Sequence, residues 1–465
     1  MKRDHIAMVA LVIIPLYLLT LVNIVWPNQA VSADENRTLK QRPAFSLKAL
    51  ANGSYTLEFE EFFSDQFPFR SFFVQTNQQL TDLIKKPFAG DVEIIEGSDD
   101  EVDLGEGERI EPDPEDIVVL PTPTPAPSGE STTTTEPTEE TSETTRDPVP
   151  TPTPEPTPTP EPTPTPPSVE GPVETISGVI IVENRAMELF YFSESRTERY
   201  VTLVNRLQSQ LTNSQVYSLV APTAVEFYSP ESYHDLSSSQ IDAIANIYGR
   251  LDSSIETVDA YRSIVSRWED YLYFRTDHHW TARGAYCAYE AFGAVAGYEP
   301  LPLDRFETGI VPGDFLGSLY RYTKSSKLKN NPDFVEYFLP TVSSEGIAFT
   351  DTTMAQGYRI QAVHTTVESS NKYLAFIQGD NPLVQFKTDL TNGKKIVVLK
   401  ESFGNALVPF LLNHYEEVYV IDPRSLSADL PAFIEQHGIQ DVLIVNYAFA
   451  VTNTKWLDGF EAMIR

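Results

Sequence analysis

The chain has 465 residues, 66 acidic against 34 basic, with a formal charge of −32. It has no basic stripe interleaved with aromatics, so composition points away from nucleic acid as a partner. Its single cysteine, Cys287, excludes an intrachain disulfide and reads as packed core within the aromatic run Tyr286–Phe292.

Met1-Lys2-Arg3 precedes an apolar run from Ile6 to Trp26, about 20 residues and long enough to span a bilayer. Lys2 and Arg3 favour a cytoplasmic N-terminus, with all that follows outside. Residues 1–33 are therefore expected to be a membrane anchor of a single-pass cell-membrane protein. A cleaved signal peptide is the alternative, because Val31-Ser32-Ala33 would serve as a small-residue cleavage site. Residues 34–96 form a short ectodomain segment, helical in periodicity at Leu57–Ser64 and Gln75–Lys86 and too small to fold alone. Residues 97–172 read as a disordered, acidic, Pro/Thr-rich linker. Roughly two thirds of the net charge lies between Asp91 and Glu174 and so belongs to this stretch more than to the fold. Alternating proline favours polyproline II, and Pro150–Pro167 would reach roughly 55 Å as a stiff spacer.

Residues 173–465 have the apolar content for a sizeable core. A strand is expected at Ile176–Val182, then a helix at Arg196–Leu211. The buried strand Val216–Val220 ends at Ala221-Pro222-Thr223. Helix Ser238–Leu251, strand Ser254–Asp259 and helix Arg262–Asp270 follow, then a strand end at Tyr271–Arg275 and helix Ala285–Ala296. Leu301–Asn371 breaks the alternation and suggests loops and short antiparallel strands. The tail reads as β-α-β-α-β: Ile396–Leu399, Phe403–Asn413, Val418–Ile421, Leu430–His437 and Val442–Val445. The fold class is thus α/β, with a doubly wound, mainly parallel sheet.

Two runs carry the chemistry. Thr276-Asp-His-His-Trp-Thr281 places an acid and two imidazoles side by side in a chain with only 7 histidines. Side chains alternate on an extended segment, so Asp277 and His279 should share a face and His278 take the other. Asp-x-His is a carboxylate able to orient a general base. A capped helix start with satisfied histidines is the bland alternative. In the second run, Lys395–Leu399 is a buried parallel-strand pattern leading into Lys400-Glu-Ser-Phe-Gly-Asn405 and an apolar helix. Ser402 then stands at a strand-to-helix turn, where backbone N–H groups and the helix end can activate a nucleophile. An ordinary N-cap serine is the alternative there.

Asp277-His-His-Trp280 and Glu401-Ser-Phe-Gly-Asn405 resemble the DHHW proteins of Gram-positive bacteria. Glu35–Leu39, Asp65–Arg70, Gly313–Tyr320 and Gly379–Pro382 fit the same family. That family is similar to AlgX/AlgJ-type alginate O-acetyltransferases, which carry an SGNH-hydrolase-like domain. The resemblance implies Ser402 as nucleophile, His279 as base and Asp277 as its orienting acid, with the serine last in the chain as in the permuted alginate enzymes. It implies an O-acetyltransferase or acetylesterase acting on a cell-surface polysaccharide outside the cytoplasm, with a membrane-bound acyltransferase as a partner and no cofactor.

Further candidates are weaker in pattern. Gly379 or Asn381 could supply an oxyanion donor beside the Ser402 N–H, because Gly379–Pro382 follows the strand-like Leu374–Gln378. His278 is a candidate for oxyanion or substrate binding, with core stacking as its alternative. Trp280 and Tyr320-Arg-Tyr322 could line a sugar groove, and Arg424 could bind an acidic polymer. Asn405 is expected to shape the turn. Two other functions stay open: a non-catalytic wall-polymer-binding scaffold, and a metal-dependent phosphoesterase in which Asp277, His278 and His279 hold the ion.

Overall fold

The computed structural model describes residues 178–465 continuously, together with 107–112, 114–120, 173–176 and short stretches between 28 and 67. The expected membrane helix within 1–33, and most of segments 34–96 and 97–172, lie outside the described residues. Among the described residues, no helix is long and apolar enough to cross a membrane.

The core is a nine-stranded sheet. In chain order its strands are β1 (Ile117–Val119), β2 (Gln215–Ala221), β3 (Glu256–Thr257), β4 (Ser344–Phe349), β5 (Gln356–Ile360), β6 (Leu383–Thr388), β7 (Lys395–Lys400), β8 (Glu417–Ile421) and β9 (Asp441–Tyr447). Their order across the sheet is β1-β5-β4-β6-β8-β7-β9-β2-β3. From β8 to β3 every pairing is parallel. From β1 to β8 every pairing is antiparallel. The sheet is therefore mixed rather than mainly parallel. The physical reason lies in Leu301–Thr388: its strands are short and partly exposed, so they join as hairpins instead of through helical crossovers.

The parallel half is covered on both faces, as its near-continuous apolar strands require. The main helices are α1 (Glu194–Gln210), α2 (Ala282–Ala296), α3 (Ser318–Thr323), α4 (Gly404–Leu411) and α5 (Thr454–Met463). Tyr217 on β2 packs its ring 5.1 Å from Phe292 of α2. The next residue, Ser218, lies 3.4 Å from the hydroxyl of Tyr200 on α1. Successive residues of a strand face opposite sides, so α2 and α1 cover opposite faces. This half is doubly wound, and its carboxyl edge is where such sheets keep their ligands.

Several local expectations fail, among them the single strand at Ile176–Val182, where Val173–Ile176 and Val179–Val182 pair antiparallel instead. Leu374–Gln378 is not a strand: a 3-10 turn at Lys372–Ala375 leads into Ile377, Gln378 and Gly379, all at positive φ. Tyr271–Arg275 is not a sheet strand either; Tyr273 pairs with Trp280 in an isolated bridge, so the Asp-His-His run is the tip of a hairpin. Another lies inside the stretch read as linker. Ile117-Val-Val119 adds an antiparallel edge strand to β5, with Tyr358 opposite Ile117. Upstream, Arg109 bridges Gly379 and the Ile110 N–H donates to the Gln378 carbonyl at 2.9 Å. The β-branched triplet supplies strand propensity that the acidic surroundings concealed.

Candidate active site

β7 delivers Ser402 to the carboxyl edge, and the Glu401–Phe403 turn is held from three sides. Buried Glu401 accepts the Phe403 N–H at 2.9 Å and the Tyr447 N–H at 3.0 Å, which ties the turn to the end of β9. The Trp280 indole donates to the Phe403 carbonyl at 2.9 Å. Phe403 stacks on Tyr447 with centroids 4.6 Å apart. Gly404 is required by the sharpness of the turn, because a Cβ there would lie 2.5 Å from Lys400 Cβ. The N-cap alternative for Ser402 does not hold: Phe403 occupies that position, without a side-chain cap.

The Asp-His-His hairpin is fixed by an acid that the sequence did not flag. Asp333, 2% exposed, accepts the Thr276 N–H at 2.7 Å, the Thr276 hydroxyl at 2.6 Å and the Arg275 N–H at 3.0 Å. At the other end, Thr281 caps α2 through the Arg283 and Gly284 N–H groups. Between these anchors, Asp277 Oδ1 lies 2.6 Å from His279 Nδ1, and His279 Nε2 lies 2.7 Å from Ser402 Oγ. Asp277 also accepts the N–H groups of His279 at 3.0 Å and Ser318 at 2.8 Å. Burial alone would raise this carboxyl's pKa, but the neighbouring His279 and these hydrogen bonds outweigh it and hold it well below the usual range. An ionised carboxylate only accepts, so His279 Nδ1 carries the proton and Nε2 accepts from Ser402. The site leaves no slack around Asp277: a Cβ on Gly317 would lie 2.2 Å from Asp277 Cβ. Tyr373 stacks on the imidazole at 3.9 Å and 12°, and its hydroxyl donates to the Ser402 carbonyl at 3.0 Å. This arrangement can deliver an alkoxide-like oxygen to an electrophilic carbonyl.

His278 does not take the opposite face. Residues 275–279 form a bend rather than an extended strand, so alternation fails there. His278 lines the same cavity as Ser402 and His279, its ring 3.8 Å from His279. Burial, then the neighbouring His279, pushes its pKa well down, so it is neutral. Ser318 Oγ accepts the His278 backbone N–H at 3.3 Å and lies 2.6 Å from Nδ1. The serine keeps a second lone pair and its own hydrogen, so this contact serves either neutral tautomer of His278. Nε2 is buried and has no partner among the described residues.

The remaining candidates are placed elsewhere. Trp280 is wholly buried and braces the turn; it is not among the residues lining the cavity. Its removal to Ala would cost about 3–5 kcal/mol. Asn381 is also fully buried, its amide spent on the Tyr358 hydroxyl and the Ile377 carbonyl. The Gly379 N–H is taken by the Phe376 carbonyl at 3.1 Å and the Asn381 N–H by Gly379 at 3.1 Å, so neither is available as an oxyanion donor. The residue between them is the one that reaches the site. Asp380 bonds Lys400 Nζ at 2.7 Å, Arg424 Nη2 at 2.8 Å and Asn405 Nδ2 at 2.9 Å. Arg424 is thus locked with Asp380 and Asp422 in a buried ion cluster and does not present itself to a polymer. Deleting one partner of such a cluster typically costs about 3–5 kcal/mol. From Tyr320-Arg-Tyr322 it is Arg321, not a tyrosine, that lines the cavity.

A metal ion could use Asp277, His278 and His279, whose ligand atoms lie within 4.8 Å of one another. Both His279 nitrogens and His278 Nδ1 are already engaged, however, which leaves one free imidazole nitrogen.

The DHHW protein family matches residues 160–421 of the 465. The chain belongs to the DHHW family. A DHHW family protein from Eubacterium siraeum, known from a crystal structure, is 29% identical, with a TM-score of 0.57 over 62% of this chain and 96% of that one. Bacillus cereus PatB1, solved with a sulfonyl adduct, is 15% identical, with a TM-score of 0.50 over 62% and 99%; this likeness concerns the fold. The O-acetyltransferase domain of Pseudomonas putida AlgJ is a more distant neighbour, at 11% identity and a TM-score of 0.34 over 61% and 96%. No curated protein matches the sequence. In this DHHW protein the four name-giving residues divide their work: Asp277 orients, His279 contacts the serine, His278 lines the cavity and Trp280 braces the turn.

Proposed function

We propose that this DHHW protein is an extracytoplasmic O-acetyltransferase or acetylesterase that modifies a cell-surface polysaccharide through an acetyl-Ser402 intermediate. The observation that carries this reading is the continuous Asp277–His279–Ser402 relay, with contacts of 2.6 and 2.7 Å between segments 123 residues apart. The acid and base precede the serine in the chain, the permuted order of the SGNH-like acetyltransferases; a triad is defined by geometry, not by order.

His279 Nε2 takes the Ser402 proton as Oγ bonds to the acetyl carbonyl carbon. The tetrahedral oxyanion collapses, the bond to the donor oxygen breaks, and that oxygen leaves with the proton from Nε2. An acceptor hydroxyl, or water, then gives its proton to Nε2 and attacks the acetyl carbon, and Ser402 Oγ leaves and recovers a proton. Two donors suit the oxyanion: the Ser402 N–H, which meets no acceptor among the described residues, and the unpartnered His278 Nε2 in the tautomer that carries the ring proton there. A neutral imidazole can donate there without contributing a mobile proton of its own. We place this chemistry outside the cytoplasm, carried by segment 1–33, with a membrane-bound acyltransferase supplying the acetyl group.

The Asp277-His278-His279 cluster keeps a metal-dependent phosphoesterase as the second reading. Two assays separate them, hydrolysis of p-nitrophenyl acetate and of p-nitrophenyl phosphate by the full chain, each with and without a chelator. Turnover of the acetate is expected to persist with EDTA and to vanish with a serine-directed sulfonyl fluoride. Loss of turnover with the chelator alone would favour the metal, and polymer binding without turnover would favour a scaffold.

A further inference from the structure

The wall of the site opposite the triad is built by residues that precede the Pro/Thr segment. Glu108 lines the same cavity as Ser402, His278 and Arg321. The strap carrying it is fastened by hydrogen bonds on either side: Gly107 N–H to Asp380 Oδ2 at 3.0 Å, and Asp380 N–H to the Glu108 carbonyl at 2.8 Å. Its approach is so close that a Cβ on Gly379 would lie 2.3 Å from that carbonyl oxygen. β1 then pins the strap to the sheet edge.

The Glu108 side chain is held but not saturated. Asn371 Nδ2 donates to Oε2 at 2.5 Å, and Arg321 Nη2 stands 3.6 Å from Oε1, beyond hydrogen-bond length. Arg321 Nη1 is buried and has no partner among the described residues. A buried guanidinium with an empty donor, facing a carboxylate with spare lone pairs, is an arrangement that leaves room for one more group between or beside them. The chemistry matches a polyhydroxylated ligand: one hydroxyl can donate to Glu108 and a neighbouring oxygen can accept from Arg321. A further unpartnered polar atom of a cavity residue, Asn405 Oδ1, adds a second acceptor.

We propose that Glu108 and Arg321 form the acyl-acceptor subsite, binding adjacent oxygens of a sugar so that a third hydroxyl meets acetyl-Ser402. The proposal rests on the acetyl-serine reading above and deepens it. Glu108 is here a specificity-determining residue: it takes no proton from the reacting hydroxyl, which His279 does. Burial raises the Glu108 pKa, with Arg321 and then Asn371 only partly offsetting it, so its charge is held in the site at a cost to the fold. Such a cost is typical of groups retained for function.

The test uses the full-length protein and its Glu108→Gln variant. Acylation is read as the p-nitrophenol burst from p-nitrophenyl acetate, and transfer as acetylation of methyl β-glucopyranoside. The variant should show an unchanged burst, a kcat within about two-fold, and an acceptor KM raised about ten-fold, the order expected for losing one hydrogen bond to a charged group. Glu108→Asp should recover part of the KM. Thermal stability of Glu108→Gln should equal or exceed the wild type, a result that a merely structural role would not give. A wild-type burst followed by equal acceptor KM values in both proteins would overturn the subsite, as would a burst with no transfer to the glycoside. Absence of any burst in the wild type would instead sink the acetyl-serine reading.

Discussion

Ser402→Ala should abolish turnover of acetyl esters while leaving the fold intact. The expected loss in kcat is on the order of 10⁴- to 10⁶-fold, the range seen when a triad nucleophile is removed. The fold should survive because Oγ caps no helix: its contacts are His279 and a long 3.4 Å approach to Glu401. What remains would be the residual effect of the oxyanion donors and binding. Steady-state kinetics with circular dichroism on the same sample decides it; a variant that keeps even a tenth of wild-type activity would contradict the assigned nucleophile.

Asp277→Asn should be nearly as severe, with kcat falling on the order of 10⁴-fold. An amide presented to His279 Nδ1 can donate as well as accept, so the imidazole can adopt the tautomer with its proton on Nε2. That tautomer cannot accept from Ser402. The variant should also change how stability depends on pH. The wild-type carboxyl is depressed on folding, so its contribution is complete above the unfolded value of about 4 and is lost as the pH falls below it. The asparagine has no such component. The drop in melting temperature between about pH 5 and pH 3 should therefore be shallower in the variant. An equally steep drop would show that other carboxylates carry the acid sensitivity, Asp380 foremost because its cation partners hold it low against the opposing effect of burial.

The parallel half of the sheet was legible because burial on both faces leaves uninterrupted apolar runs such as Lys395–Lys400, buried after its first residue. The antiparallel half was legible only as a disturbance of that rhythm: Ser344–Phe349 is exposed at one end and buried at the other, and neither period dominates. Within the site, the meeting of Asp277, His279 and Ser402 could be anticipated because two of them are neighbours in sequence and the third stands at a strand end. His278 was assigned to the wrong face because alternation holds for extended backbone, and a hairpin tip lets consecutive rings converge. Tyr373, which stacks on His279, lies just before the run Leu374–Gln378 that read as a strand, and no motif marked it. Glu108 carried no local signal, being one acid among many in a stretch whose composition indicated linker. Its role follows from where β1 docks, a tertiary fact. A weak clue was present: Ile117-Val-Val119 is apolar and β-branched amid acids and prolines.

Turnover through Ser402 leaves a transient covalent bond at one oxygen. Full-length protein should be mixed with p-nitrophenyl acetate, quenched in acid within the burst, digested and weighed peptide by peptide. One acetyl group is expected on the peptide containing Ser402, absent in Ser402→Ala and scarce in His279→Ala. An unmodified Ser402 peptide during active turnover, or acetyl found on another residue that turns over with the substrate, would contradict the acetyl-serine reading.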